Sequence, residues 1–119
     1  MAILGELETQ IMEILWGAGK QWSVRSVHEE LLNKRPLAYT TVMTVLDRLA
    51  KKGIVQRELD GRAWLYVAGS SRAQLVGGAL TDVVAEARDE EREVFTLFAQ
   101  SLTQQQRHQL RAALDEVTD

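Results

Sequence analysis

The hydrophobic period of this chain turns from helical to β-like at Gly53, with a hairpin signal soon after it. Before Gly53, Leu4, Leu7, Ile11, Ile14 and Leu15 recur three or four apart. They mark one face of a helix that ends at Gly17-Ala18-Gly19. Ser23 offers an N-cap to a second helix, with Val24, Val27 and Leu31 on its inner stripe. Pro36 closes that helix region, because it pushes Arg35 out of the α conformation. A third helix is expected from about Thr40 to Lys52, stopping at Gly53, a natural C′ residue. Its Val42, Val45, Leu46 and Leu49 point inwards. Thr40, Thr44, Asp47, Arg48 and Lys51 gather on the opposite side, flanked by Thr41, Met43 and Lys52. Residues 54–59 and 63–67 then read as two strands joined through Asp60-Gly61, where Gly accepts the positive φ of a tight turn. Three short helices and a β-hairpin is the order of a winged helix-turn-helix. The expected fold is mainly α with a small β-hairpin.

From Ser71 the pattern is helical again. Leu75, Val76, Leu80, Val83 and Val84 mark one helix to about Ala87; Val94, Leu97 and Phe98 mark a second. Thr103 with Gln106 forms a capping box for a third, whose apolar positions are Leu110, Ala113, Leu114 and Val117. A helical arm of about 50 residues has little core of its own. It either folds back on the first region or keeps an apolar stripe to bury elsewhere. The expected division is 1–70 and 71–119.

Charge divides along the same line. The net charge of −3 argues at face value against nucleic acid as a partner. Resolved along the chain, residues 20–68 carry nine basic and five acidic side chains, a net +4. Residues 71–119 carry five Arg and nine carboxylates, a net −4. A chain of 119 residues with 45% hydrophobic and 26% charged residues is composed like a folded protein. Having no Cys, it has no thiolate metal site, disulfide or iron–sulfur cluster. No apolar stretch approaches the roughly 18 residues of a spanning helix. The start, MAILGELE, has no basic residue before Lys20 and does not read as a secretory signal, so the expected location is the cytoplasm.

The third helix carries the chemistry. The major groove of B-DNA admits one α-helix, and residues near its N-terminus reach base edges. The hydroxyls of Thr40, Thr41 and Thr44 can hydrogen-bond to bases, and their methyls, with Met43, can pack on thymine methyls. Arg48, Lys51 and Lys52 lie further along, where a phosphate backbone passes, with Tyr39 just before the helix and Arg62 at the hairpin tip. The same face also fits a solvated surface, since Lys51-Lys52 before a C-terminal Gly complements the helix dipole. Asp47 is the awkward residue, and pairing with Lys51 at i+4 accounts for it. His28 reads as a structural histidine and His108 as exposed. Two histidines 80 residues apart make a poor metal set. Asp89-Glu90-Glu91 with Glu93 suits a helix N-terminus better than acid–base catalysis. Trp16, Trp22 and Trp64 all read as packing residues. No enzyme activity and no cofactor are expected.

The segments LGELETQIMEILW at 4–16 and AYTTVMTVLDRLAKKG at 38–53, with a wing ending AWLYVA, are similar to the penicillinase-repressor family, the BlaI/MecI/CopY type of bacterial transcriptional regulator. The resemblance implies a dimeric winged-helix repressor on an inverted-repeat operator with TACA/TGTA-like half-sites. It implies base contacts for Thr40, Thr41 and Thr44, and backbone contacts for Tyr39, Arg48, Lys51 and Lys52. It makes 71–119 a dimerisation arm, with Gly77-Gly78 suited to close helix approach and Leu75, Leu80, Val84, Phe95, Phe98, Leu110 and Leu114 as seam residues. Two family features are not matched. The copper-responsive branch carries a cysteine-rich C-terminal site, and this chain has no Cys. The β-lactam-responsive branch is cut at an Asn–Phe bond in the arm, and the only Asn here is Asn33. The partners expected are palindromic double-stranded DNA and a second copy, with no membrane and with any regulatory protease unknown. The competing functions are a protein-docking winged helix without DNA binding and a repressor gated by a small ligand.

Overall fold

In the computed structural model, residues 4–117 are described. Helix α1 spans Glu6–Ala18. Its first turn is held by Glu8, whose Oε1 accepts from the Gly5 N–H at 2.9 Å, and Gly19 ends it at φ +62°. Helix α2, Val24–Leu32, starts at a reciprocal Ser23/Ser26 cap in which each hydroxyl accepts the other's backbone N–H. Helix α3 spans Tyr39–Lys51. It closes with Gly53 at φ +80° and paired bonds from Gly53 N–H to Ala50 O and Ile54 N–H to Leu49 O. That is the Schellman pattern, and it redirects the chain straight into the sheet.

The sheet has three strands where two were expected. Strand β1 is only Trp22–Ser23, β2 is Val55–Asp60 and β3 is Ala63–Ala68, in antiparallel order β1-β3-β2. Two residues show no periodicity, so β1 becomes visible only through its partners Tyr66 and Leu65. Asp60 pairs with Ala63, so the hairpin loop is Gly61-Arg62, one residue further along than the expected turn, with Gly61 at φ +64°.

The core is built from all of these elements. Ile11, Met12 and Leu15 of α1, Val24, Val27 and Leu31 of α2, and Val42, Leu46 and Leu49 of α3 enclose Trp22, Val55 and Tyr66. Each of the larger side chains contributes roughly 1.5–3 kcal/mol by leaving water. The helical spacing marks all of these helix positions except Met12, and four others that it marks, Leu4, Leu7, Ile14 and Val45, are only partly buried against the core. Three helices and a three-stranded sheet in this order make a winged helix-turn-helix.

Helix α4 runs Arg72–Ala85, a short 3₁₀ turn covers Arg88–Glu90, α5 is Glu91–Ser101 and α6 is Gln104–Glu116. Thr103 and Gln106 cap α6 as the sequence suggests, at 2.9 and 3.1 Å. The start of α4 is tied to α1: Arg72 Nη2 donates to Glu13 Oε1 at 2.7 Å, and its guanidinium lies over Trp16. Trp16 Nε1 donates to Ser70 O at 2.8 Å. The chain forms two compact units that divide inside α4, between Ala79 and Leu80. Among the described residues from Leu80 onward, none is buried. No helix among the described residues is long and apolar enough to cross a membrane.

Candidate nucleic-acid interface

Because Val42, Leu46 and Leu49 fill the core, with Val45 and Ala50 packed partly against it, the opposite face of α3 is left toward solvent. Tyr39, Thr40, Thr41, Met43, Thr44, Arg48 and Lys51 are all exposed on it, as is Lys52 just beyond. The hydroxyl-bearing residues occupy its first two turns and the cations its last. Tyr39 is held at the helix entrance by an edge-on contact with His28, ring centroids 5.8 Å apart. His28 is the structural residue that its position suggests: its Nε2 donates to Leu37 O at 2.7 Å.

Two details alter what this face can do. Thr44 Oγ1 donates to Thr40 O at 2.9 Å, so its proton is committed to its own helix. Outward it offers an acceptor lone pair and a methyl group. Lys52 is paired with Glu8 of α1 at 3.5 Å, which leaves Arg48 as a cation of the last turn with no carboxylate in salt-bridge range among the described residues.

Asp47 does pair with Lys51, Nζ to Oδ2 at 3.0 Å, and it has a second partner that the helical spacing does not reveal. Arg57 of β2 donates from Nη1 to Asp47 Oδ1 at 2.8 Å. The hydrogen bonds from Lys51 and then Arg57 hold the Asp47 carboxyl below its ordinary pKa. Arg57 also lies 4.5 Å over the Trp64 ring. Trp64 is 40% exposed, which corrects its reading as a packing residue. It sits too near the hairpin loop for the core to reach. Arg62 is exposed in the loop itself. Strand alternation alone marks Arg57 as sharing a face with buried Val55, but only the tertiary fold brings α3 alongside.

Of the positions expected at a dimer seam, Leu75 and Val84 are half-buried, while Leu80, Phe95, Phe98, Leu110 and Leu114 are exposed. Among the described residues, no cluster of three or more His, Cys, Asp or Glu could hold a metal ion.

The family model of the penicillinase repressors matches residues 4–116. The chain belongs to the penicillinase-repressor family. Over 86 residues it is 49% identical to the transcriptional regulator BlaI of Mycobacterium tuberculosis, an alignment that covers 72% of this chain and 62% of that protein. The chain therefore matches less than two thirds of that relative's length. Among solved structures, it is similar to the DNA binding domain of the repressor BlaI, with TM-score 0.54 and 24% identity over 60% of this chain and 85% of that one. It is also similar to Bacillus licheniformis BlaI in monomeric form in complex with the blaP half-operator, with TM-score 0.51, 24% identity and the same coverage. At that identity, the likeness is one of fold.

Proposed function

We propose that this family member is a cytoplasmic, homodimeric transcriptional repressor that blocks a promoter by occupying an inverted-repeat operator. The observation that carries the proposal is the exposed face of α3, hydroxyls first and cations last, on a helix whose other face anchors a winged-helix core. Thr40, Thr41, Met43 and Thr44 are the base readers. Tyr39, Arg48, Lys51, Lys52 and Arg62 meet the backbone. Kinship with the BlaI regulators supports this, and one structural neighbour is in complex with a half-operator.

Residues 1–70 carry DNA binding and residues 71–119 the dimer seam. The seam is inferred from apolar side chains left in water: Leu80, Phe95, Phe98, Leu110 and Leu114 line helices that bury nothing of their own. A second copy offers the same stripe, as two-fold association requires. Dimerisation turns two weak half-site contacts into one bivalent event.

Fluorescence anisotropy against a fragment of the protein's own promoter and a scrambled duplex, at two salt concentrations, tests the reading. Preferred binding to the promoter, weakening steeply with salt, is expected. Binding with neither preference nor salt dependence points to a docking module and rejects it. Sedimentation equilibrium reporting a monomer at micromolar concentration rejects the dimer. A ligand-gated mode gains little from the structure, because the open depression of about 440 Å³ lined by Leu15, Trp16, Lys20, Val67, Ser70 and Gln74 buries little of any occupant.

A further inference from the structure

A carboxylate on a face meant for phosphates costs affinity, yet Asp47 stands in the middle of it. Its contacts supply a reason. Oδ2 takes Lys51 of α3 and Oδ1 takes Arg57 of β2, so one side chain joins the last turn of the helix to the hairpin. Arg57 continues the line by lying over Trp64 of β3. Arg57 pairs with Tyr66 and Leu59 with Trp64, two positions apart, so Arg57 and Trp64 share one face of the sheet.

The hairpin needs such a link. Its base is anchored by Val55 and Tyr66 in the core, whereas Leu59 and Trp64 near the tip are exposed. A two-stranded ribbon beyond its packed base has little to fix its angle. Lys51–Asp47–Arg57–Trp64 runs from the helix to that outer part. The guanidinium is well suited to the task, being planar, forked and able to stack and donate at once.

Building on the DNA-binding reading, we propose that Asp47 is a positioning residue for sequence recognition. By bracketing Lys51 and Arg57 it holds the wing against α3, so that helix and hairpin meet one stretch of duplex in a single register. Its charge weakens binding to any DNA, and its bracket strengthens binding only where both elements fit. Asp47 therefore exchanges general affinity for discrimination.

The test uses the full chain and two probes: the duplex that the wild-type protein selects from a randomised pool, and a scrambled duplex of the same composition. Asp47→Asn is expected to tighten binding to the scrambled duplex about threefold, because one repulsive charge is gone. It lowers the selected-to-scrambled ratio about tenfold, on the scale of one lost base-pair preference. Arg57→Lys keeps the charge but not the fork or the stack; it lowers the ratio while leaving scrambled binding unchanged. Asp47→Glu, which retains a carboxylate, restores the ratio to within about threefold of wild type. The double variant Asp47→Asn/Arg57→Lys has a ratio no lower than the worse single one, since the two residues act as a unit. Melting temperatures within a few degrees of wild type separate these effects from unfolding. If Asp47→Asn tightens both duplexes equally and the ratio holds, Asp47 only repels phosphate and the proposal is overturned. Additive losses in the double variant overturn it as well. A pool that yields no preferred duplex defeats the DNA-binding reading itself, and this inference with it.

Discussion

Residues up to Ala79 and residues from Leu80 onward belong to one chain, but they meet water differently. The first unit buries twelve apolar side chains among its described residues, drawn from three helices and all three strands. The second is just as regular in its backbone, with complete helices and an N-cap on α6, and buries none. Regular secondary structure is therefore no sign of a core. In the first unit the amphipathic stripes face one another; in the second they remain unpaired, and most helix stability in proteins comes from such packing. The comparison suggests that the first unit folds by itself and that the second depends on association.

Removing the second unit is the hardest test of that contrast. A chain ending at Ala79 should keep the helical circular dichroism and cooperative melting of the first unit. Its affinity for an operator should fall by about 10²–10⁴-fold with the loss of bivalency. Unchanged affinity in a titration would break the comparison at once.

Paired leucine truncations sharpen it. Leu46, fully buried in α3, should cost about 2–5 kcal/mol when changed to Ala, measured by urea denaturation and independent of protein concentration. Leu114, 65% exposed on α6, should instead show an effect that grows as the protein is diluted, since in the proposed dimer it would act through the monomer–dimer equilibrium. A concentration-independent loss at Leu114 would mean that α6 is buried within its own chain.

Within the first unit, two substitutions on the exposed side of α3 should separate. Lys51→Ala should weaken binding to every duplex and lower the salt slope by about one. Thr44→Ala should change which half-site is preferred with little change in slope, through the acceptor and methyl that Thr44 presents outward. Equal losses on specific and random DNA would remove Thr44 from the base readers.

The smallest effect concerns pH. The Asp47 carboxyl lies below its ordinary value because Lys51 and then Arg57 donate to it. A depressed carboxylate pKa adds stability that is present above the unfolded value of about 3.9 and lost as pH falls through the folded one. In an acid titration followed by NMR, Asp47 should protonate below the ordinary aspartate value. Any advantage of the wild type over Asp47→Asn in melting temperature should shrink as pH falls below about 4, as the carboxylate is protonated. An Asp47 that titrates at the ordinary aspartate value would show that the bracket is open in solution.

The elements themselves were legible from local rules. Ser23, Gly53 and Thr103 end or start helices by short-range chemistry, and the buried residues of α1, α2 and α3, Met12 excepted, follow from a spacing of three or four. Strand β1 was not legible, because two residues carry no period and their partners lie more than forty positions away. Trp64 was misread for a related reason: alternation assigns a residue to a face of the sheet but cannot say how far the core extends along it. The interface divides likewise. The exposed threonines and cations of α3 are visible in the helical pattern, whereas the pairing of Lys52 with Glu8 and of Asp47 with Arg57 is not.

What the sequence by itself determined was everything that depends on near neighbours. That includes helix starts and stops, the hairpin, the polar face of α3 and the separation of a basic middle from an acidic tail. The tertiary structure alone decided which exposed charges are already engaged, because ion pairs between elements depend on where those elements come to rest in space. The bracket at Asp47 is the clearest case, since ten residues and a change of secondary structure separate it from Arg57.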